Sequence, residues 1–438
     1  MLLSTTVHIK NNNPYKDCLY HLCYHAARMY NFGLYSVRQH FFNTNSYLNY
    51  YGNYHVCKDN ENYKILLCDT GQQVLRLVDR NMRSFFSLLK MKSLGKYTEK
   101  VKLPRYKDKE GLMMFSVQGR SVRIHGKKAC IGLTKEFREK YNVDFRFIEI
   151  KIPKKLRHIS AFNELRVLPL HNGLDFKVEF IYDSANLRFE QVKGNGNNFL
   201  SIDLGISNLM SCFITSNGRS HQFIIDGRPL KSINAYYNKM KAALQASYSK
   251  DKDIKGLDTK RFVRLSNGRD NRINDYFNKA VQYLIQVCLR YDIGTVVLGY
   301  NEGWKQEVEL GKVLDQSFVC IPFLKLRQKL QCKCELHGIA FVNQEESYTS
   351  NASSLDLDGI PTYGKEEGKD VTFSGKRINR GLYKSKEGLL LNADINGSVN
   401  ILRKYLQGKG KDLSSDSVRA LVNVPCRKVN TFRSSPFL

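Results

Sequence analysis

The sequence predicts a multidomain chain of mixed α+β and α/β class. A short strand and two helices precede a small antiparallel β-barrel or sandwich, and an α/β domain with a buried sheet follows. Three observations predict this. The chain has 438 residues, more than one ordinary domain holds. Apolar residues alternate with period two between about residues 101 and 180, in segments separated by turn residues. Beyond residue 199, short and wholly apolar runs, typical of strands covered on both faces, are interspersed with helical patterns.

The elements follow in order. Residues 3–10 alternate as a short strand. Leu19, Leu22, Ala26, Met29 and Tyr30 then recur at helical spacing, and the Asn- and Tyr-rich stretch 43–63 reads as a loop. In the next helix Val74, Val78, Met82, Phe85 and Leu89 share one face, while Arg76, Arg80, Arg83, Lys90 and Lys92 occupy other positions. Such a helix suits either a solvated face or one that follows phosphates. Ser121–Leu133, Phe147–Ile152 and the alternating Leu174, Phe176, Val178 and Phe180 are strands of the barrel or sandwich, which is densely basic around Lys151, Lys154, Lys155 and Arg157. The polar stretch 190–198 reads as a linker. After it, Phe199–Ile202 is an apolar strand leading to Asp203-Leu204-Gly205, and Leu209–Thr215 is a second strand. Residues 228–290 are mostly helical with a break near Ser266-Asn267-Gly268. Thr295–Gly299 is a buried strand, Pro322–His337 a helix, Ile339–Val342 a strand, and Leu390–Tyr405 a strand end running into a helix.

Lys and Arg number 69 against 41 Asp and Glu, a formal net charge of +28. Self-repulsion of that size in a compact protein calls for a polyanion, nucleic acid first and an anionic membrane surface second. No apolar stretch is long enough to span a bilayer, and the start Met1-Leu2-Leu3-Ser4-Thr5 lacks the pattern of a secretory signal. The expected setting is therefore intracellular. The 11 cysteines are read as reduced and mostly buried. Neither Cys18/Cys23 nor Cys332/Cys334 has zinc-ligand spacing.

The chemistry-bearing candidates are Asp203, past a buried apolar strand, and Asp394, where a strand gives way to a helix in Asn392-Ala393-Asp394-Ile395-Asn396-Gly397. Alone, an Asp-x-Gly is compatible with a turn or cap aspartate. Two carboxylates far apart in sequence, each ending a buried element, suit a shared metal site. Phosphodiester hydrolysis uses two magnesium ions about 4 Å apart, and magnesium takes hard oxygen ligands.

The stretch Ser201-Ile202-Asp203-Leu204-Gly205-Ile206-Ser207-Asn208-Leu209 resembles the first motif of the RuvC-like nuclease domain of TnpB proteins, the transposon-encoded RNA-guided endonucleases related to type V CRISPR effectors. Ser347-Tyr348-Thr349-Ser350 resembles the Tyr-Thr-Ser motif of that family. Phe373-Ser374-Gly375-Lys376-Arg377 and Arg380-Gly381-Leu382-Tyr383 match one subgroup, and Asn392–Gly397 matches the third catalytic motif. The resemblance runs in order from about Phe199 to Arg403. It implies a β-barrel wedge domain over 1–10 and 101–195, a helical recognition domain over 11–100, an RNase H-like (RuvC) nuclease domain over 196–405, and a basic, disordered tail over 406–438.

Two positions depart from the family pattern. The usual second acid follows a buried strand, but after Val296-Val297-Leu298 stands Gly299. Glu345 and Glu346 end the next strand, and some members of the wider family carry the acid there. The expected third ligand is Glu346, then Glu345, then Glu302. The family's four-cysteine zinc module is also not carried over, because no cysteine lies between Ser350 and Asp394. Lys376, Arg377, Arg380 and Lys384 occupy that region, and Arg377 and Arg380 are expected on nucleic-acid backbone or as a solvated basic loop.

The resemblance therefore implies a DNA endonuclease holding Mg2+, two ions and no zinc, on Asp203, Glu346 and Asp394. The resemblance also implies that cleavage would leave a 5′ phosphate. The expected partners are a guide RNA and target double-stranded DNA, with no membrane and a monomer favoured, in a cytoplasmic, nucleoid-associated and prokaryotic-type setting. Sequence choice would belong to guide pairing. The protein itself would read a short adjacent motif, with Gln72, Gln73 and Arg76 as candidate readers, since Gln pairs with adenine and Arg with guanine. The alternatives are a compact type V CRISPR effector and, given Gly299, a nuclease-dead RNA-guided repressor.

Overall fold

In the computed structural model the described residues are 1–10, 12–248, 259–301, 321–362, 372–379 and 381–432, without the side chains of Asn195 and Tyr248. Contacts divide the chain into two units, Met1–Arg188 and Phe189–Leu438.

In the first unit β1 (Leu2–Ile9) pairs antiparallel with β7 (Asp175–Asp183), β7 with β6 (Glu164–Leu170), and β6 with β2 (Phe115–Gln118). Alternation sets the register. Phe176, Val178 and Phe180 are fully buried, while Lys177 and Glu179 between them form an ion pair at 2.7 Å. A separate three-stranded sheet joins β3 (Val122–His125), β4 (Lys128–Gly132) and β5 (Phe147–Lys151). The expected barrel is thus corrected: among the described residues no sheet closes. Between β2 and β3 the chain makes a tight helical turn at Gly119–Ser121, which breaks the ladder and sends β2 and β3 into different sheets.

The helical insert consists of helices Lys16–Thr44, Tyr50–Cys57, Glu61–Ile65 and Cys68–Ser93. Val74, Leu75, Val78 and Met82 of the last are buried in one core with Cys23, Ala26, Met29, Tyr30 and Leu34 of the first. The loop expected over 43–63 is largely helical instead. Its asparagines act as caps: Asn49 Oδ1 accepts from the Gly52 N–H at 3.0 Å, and Asn60 Oδ1 from the Asn62 N–H at 2.9 Å.

The second unit is built on a six-stranded sheet of order β12-β11-β8-β9-β10-β16. Here β8 is Asn195–Leu204, β9 Asn208–Ser216, β10 Arg219–Asp226, β11 Ile293–Gly299, β12 Ala340–Gln344 and β16 Arg427–Val429. The first three form an antiparallel meander. β11 runs parallel to β8, β12 to β11, and β16 to β10. Leu200, Ile202 and Leu204 of β8 share a core with helices Lys260–Arg290 and Phe323–Leu336. On the opposite face, helix Ala393–Gln407 lies against β8, where Ser201 Oγ donates to the Ser398 carbonyl at 2.7 Å. Three short strands, β13 (Lys376–Asn379), β14 (Leu382–Lys384) and β15 (Leu390–Asn392), form a small antiparallel sheet leading into that helix.

Three further readings change. The polar stretch 190–198 is not a free linker, because Val192 N–H donates to the His337 carbonyl and β8 begins at Asn195. Ser266-Asn267-Gly268 lies inside helix Lys260–Arg290, since one helical glycine weakens a long amphipathic helix without ending it. The tail expected to be disordered forms helix Ser415–Arg419 and β16, because Val418, Leu421 and Val429 are apolar enough to be buried.

Candidate active site

Asp203 owes its position to strand alternation. Leu200, Ile202 and Leu204 point into one core, so Ser201 and Asp203 face the other way, toward helix Ala393–Gln407. The helix comes close because its facing residues are small. A Cβ at Gly397 would lie 2.8 Å from Asp203 Oδ2. Asp394 is three residues before Gly397, hence on the same helical face. It sits in the first turn, where the partial positive charge of the helix N-terminus favours an anion. Asn392 caps that turn, its side chain accepting from the Asp394 N–H at 3.0 Å and the Ile395 N–H at 3.2 Å.

Glu346 lies two residues past β12. Its N–H donates to Asn301 Oδ1 at 3.1 Å, and its carbonyl accepts from Thr349 Oγ1 at 2.8 Å. Tyr348 adopts φ 64°, a left-handed conformation costly for a bulky side chain. The turn is held from the helix, where Asn400 Nδ2 donates to the carbonyls of Thr349 at 2.9 Å and Ala352 at 2.7 Å. The Ser347-Tyr348-Thr349-Ser350 stretch is therefore the brace that aims Glu346.

Gly299 now has a physical reason. A Cβ there would lie 2.5 Å from Glu346 Oε2 and 2.5 Å from Ile401 Cδ1. The carboxylate supplied from β12 fills the space beside the end of β11, so no side chain fits at 299.

Asp203 is pushed well above the usual carboxylate range, by burial first, then by the charges of Glu346 and Asp394, with Arg377 opposing. Burial, with Glu345 adding to it, raises Glu346 to about 7. Asp394 is the compensated member. Its Oδ1 pairs with Arg377 at 3.1 Å, and its Oδ2 accepts from Asn208 Nδ2 at 2.6 Å. Asp203 thus lies within electrostatic reach of both Glu346 and Asp394. Among the described residues no three or more His, Cys, Asp or Glu side chains are placed closely enough to hold a metal ion as they stand.

Glu345 points elsewhere. It pairs with Lys404, which is almost wholly buried, and accepts from the Ser347 N–H at 2.6 Å. Burial raises this carboxyl, but those bonds outweigh it and leave it below its ordinary value. Glu302 and Arg380 lie outside the described residues. In the first unit, Gln72 and Gln73 are half-buried on helix Cys68–Ser93, and Gln72 Nε2 donates to Cys68 Sγ at 3.4 Å. Arg76 is exposed, lies 4.5 Å over the Tyr50 ring, and lines a groove of about 600 Å³ with Tyr51, Arg80 and Arg83. Neither glutamine lines that groove.

Sequence reasoning passed over Asn208, although it stood inside the quoted motif. It assigned no role to Gly397, which also stood inside a quoted motif, and passed over Asn400 and Lys404, whose only signal was a run of small and polar residues on a buried helix. Between the Tyr-Thr-Ser turn and Asp394, carboxylates tie the chain. Asp358 accepts from the N–H groups of Ser353 at 2.7 Å and Ser374 at 3.1 Å, and Asp356 from the Lys386 N–H at 2.9 Å.

Comparison with known proteins agrees with the sequence resemblance. Residues 178–305 match the OrfB_IS605 family model, described as a probable transposase. Residues 323–401 match the model of the Cas12f1-like TNB domain. The chain is 24% identical over 407 residues to a TnpB-like protein, ORF457, of Acidianus two-tailed virus, covering 86% of this chain and 81% of that one. Among solved structures, it is similar to Cas12f1 in a Cas12f1–sgRNA–target DNA complex (15% identity, TM-score 0.34, 91% of this chain and 98% of that one). It is also similar to the mini-RNA-guided endonuclease CRISPR-Cas_phi3 (9% identity, TM-score 0.45, 92% of each chain). The chain thus resembles a TnpB-like protein, and separate regions of it match a transposase model and a Cas12f1-like domain model. Among the described residues no helix is long and apolar enough to cross a membrane.

Proposed function

We infer that this TnpB-like chain is an RNA-guided, magnesium-dependent DNA endonuclease that cuts target DNA beside a short adjacent motif. The observation that carries the reading is that buried Asp203 feels the charges of both Glu346 and Asp394, which come from two other elements, while Glu346 reaches the end of β11 at Gly299. The meander followed by two parallel strands, in the order β12-β11-β8-β9-β10, is the arrangement expected of an RNase H-like domain. The Glu346 carboxylate beside Gly299 favours an active nuclease over the nuclease-dead alternative, because a carboxylate still stands at that strand end.

The chemistry of the three side chains suits a hard divalent cation. All three side chains are carboxylates, with no sulfur or imidazole among them. Burial raises Asp203 first, the charges of Glu346 and Asp394 add to it, and a nearby positive charge would oppose both. Ser211, directly opposite Asp203 on β9, buries a hydroxyl with no hydrogen-bond partner. Asp203, Glu346 and Asp394 would hold the magnesium, which when bound activates a water and stabilises the leaving oxygen. The protein's own groups do the rest. Asn392 and the helix N-terminus orient Asp394, the Thr349 turn orients Glu346, and Arg377 supplies a cation at the mouth that can turn from Asp394 to a phosphate. The excess positive charge would hold guide and target backbones.

The test is to purify the chain with its bound RNA and measure cleavage of a matched target plasmid with and without magnesium. Glu346→Ala is compared with Glu345→Ala and Glu302→Ala. Cleavage lost with Glu346→Ala and retained with the other two supports the assignment. Cleavage abolished only by Glu302→Ala overturns it, and absence of copurifying RNA overturns the guided reading.

A further inference from the structure

Asp394 is not positioned by its own helix alone. Its Oδ2 accepts from Asn208 Nδ2 at 2.6 Å. On the other side of the same amide, Asn208 Oδ1 accepts from Lys428 Nζ at 2.8 Å. Lys428 belongs to β16, near the far end of the chain, and its ammonium also lies 3.5 Å from Asp226 Oδ1. Asp226, at the end of β10, is buried and further held by Arg228.

The chemistry of the amide makes this arrangement directional. A carboxamide is donor on one side and acceptor on the other, and turning it over exchanges the two. An ammonium donates only. Lys428 therefore tolerates only the Asn208 oxygen facing it, which leaves the Asn208 N–H groups facing the carboxylate. With the amide reversed, Lys428 would face an NH2 group and Asp394 would face a carbonyl oxygen, so both contacts would be repulsive.

The lysine is itself fixed by the docking of β16. Phe223, Ile224 and Ile225 pair in parallel with Arg427, Lys428 and Val429. Val429 is buried, and the Phe432 ring lies 4.7 Å from that of Tyr276, edge on.

We propose that Lys428 and Asn208 are positioning residues for the metal ligand Asp394, so that the C-terminal strand is part of the active-site apparatus. The proposal rests on the carboxylate cluster being a divalent-cation site. Partners outside the liganding set typically change metal affinity about 10- to 100-fold when removed.

The experiment is Mn2+ binding to the full chain, followed by electron paramagnetic resonance. Wild type is compared with Lys428→Met, Lys428→Arg, Asn208→Ala, the double variant Asn208→Ala/Lys428→Met, Asp394→Ala and Val429→Ala. Lys428→Met is expected to weaken Mn2+ about tenfold, and Lys428→Arg, which keeps a cationic donor, to retain most of the affinity. The double variant is expected to bind no more weakly than Asn208→Ala, because the lysine acts through the amide. Val429→Ala loosens the strand that carries Lys428 but keeps the ammonium, and is expected to weaken Mn2+ by less than Lys428→Met.

Wild-type affinity in Lys428→Met overturns the proposal. So does a full additional loss in the double variant, or a loss in Val429→Ala equal to that in Lys428→Met, which would mark a structural effect only. If wild type binds no Mn2+, or Asp394→Ala binds like wild type, the cation-site reading itself fails.

Discussion

Glu346→Gln isolates the electrostatics of the cluster from its shape. The carboxyl is raised from its ordinary 4.5 to about 7, chiefly by burial. A carboxyl raised on folding binds more protons in the folded than in the unfolded state between those two values. Its stabilising contribution is therefore complete below about pH 4.5 and is lost as pH rises through about 7. At about 1.4 kcal/mol per pH unit, the window is worth on the order of 3 kcal/mol, with roughly 2.5 of it falling between pH 5 and pH 8. Urea unfolding of the full chain in a chelator, near pH 5 and near pH 8, measures the loss. Other groups titrate in the same range, and His25 and His221, lowered mainly by burial, act with the opposite sign. The informative quantity is therefore the difference between the variant and wild type. Glu346→Gln keeps shape and burial but removes the proton, so its loss of stability on raising pH should be smaller by about 2 kcal/mol. Magnesium added near pH 8 should restore stability to wild type and much less to the variant. An identical pH dependence in both proteins would refute the argument.

Gly299→Ala places a methyl against Glu346 and Ile401, and should cut the cleavage rate about 100-fold by displacing the acid. Unchanged cleavage kinetics would count against the steric reading. Glu345→Ala leaves the buried Lys404 without its carboxylate, and should cost about 1–3 kcal/mol in urea unfolding while cleavage falls less than tenfold. A larger fall in cleavage than in Glu346→Ala would exchange the roles of the two glutamates. Nucleic-acid binding should weaken steeply with salt. Arg80→Ala and Arg83→Ala, on the groove beside Tyr51, should each lower the slope of log affinity against log salt by about one if they contact phosphates. An unaltered slope would leave that groove without a phosphate role.

What the sequence made legible followed from period and spacing. The alternation of Leu174–Phe180, the apolar runs at Phe199 and Val296, and the 3.6 spacing around Val74 each reflect burial of one or two faces, which local residue choice determines. The nearness of Glu346 to Gly299 was legible too, because a missing carboxylate after Val296-Val297-Leu298 and a surplus pair at Glu345-Glu346 stood at the ends of neighbouring strands. The choice between those two was not legible. It depends on Lys404, 59 residues from Glu345, which claims one glutamate and leaves the other to turn inward. Closure of the barrel was illegible because a ladder breaks at a single tight turn, here Gly119–Ser121, whose residues are also common in ordinary hairpins. The C-terminal strand was illegible because three residues, two of them basic, carry almost no strand signal, and β16 exists through pairing with β10.

The glycine and the glutamate amount to one decision about where a charge enters a cleft. Two adjacent parallel strands end side by side at Gly299 and Gln344, and Glu346 reaches back across that end. A side chain on β11 and the Glu346 carboxylate would occupy the same volume, so the two placements exclude each other, and Ile401 closes the remaining side. Supplying the acid from beyond β12 places it in a turn held by Asn400 and strained at Tyr348, rather than in the regular ladder. A carboxylate on a turn depends on that brace for its aim. The side chains of Thr349 and Asn400 therefore matter to the site, although neither carries a charge and neither belongs to the acid cluster.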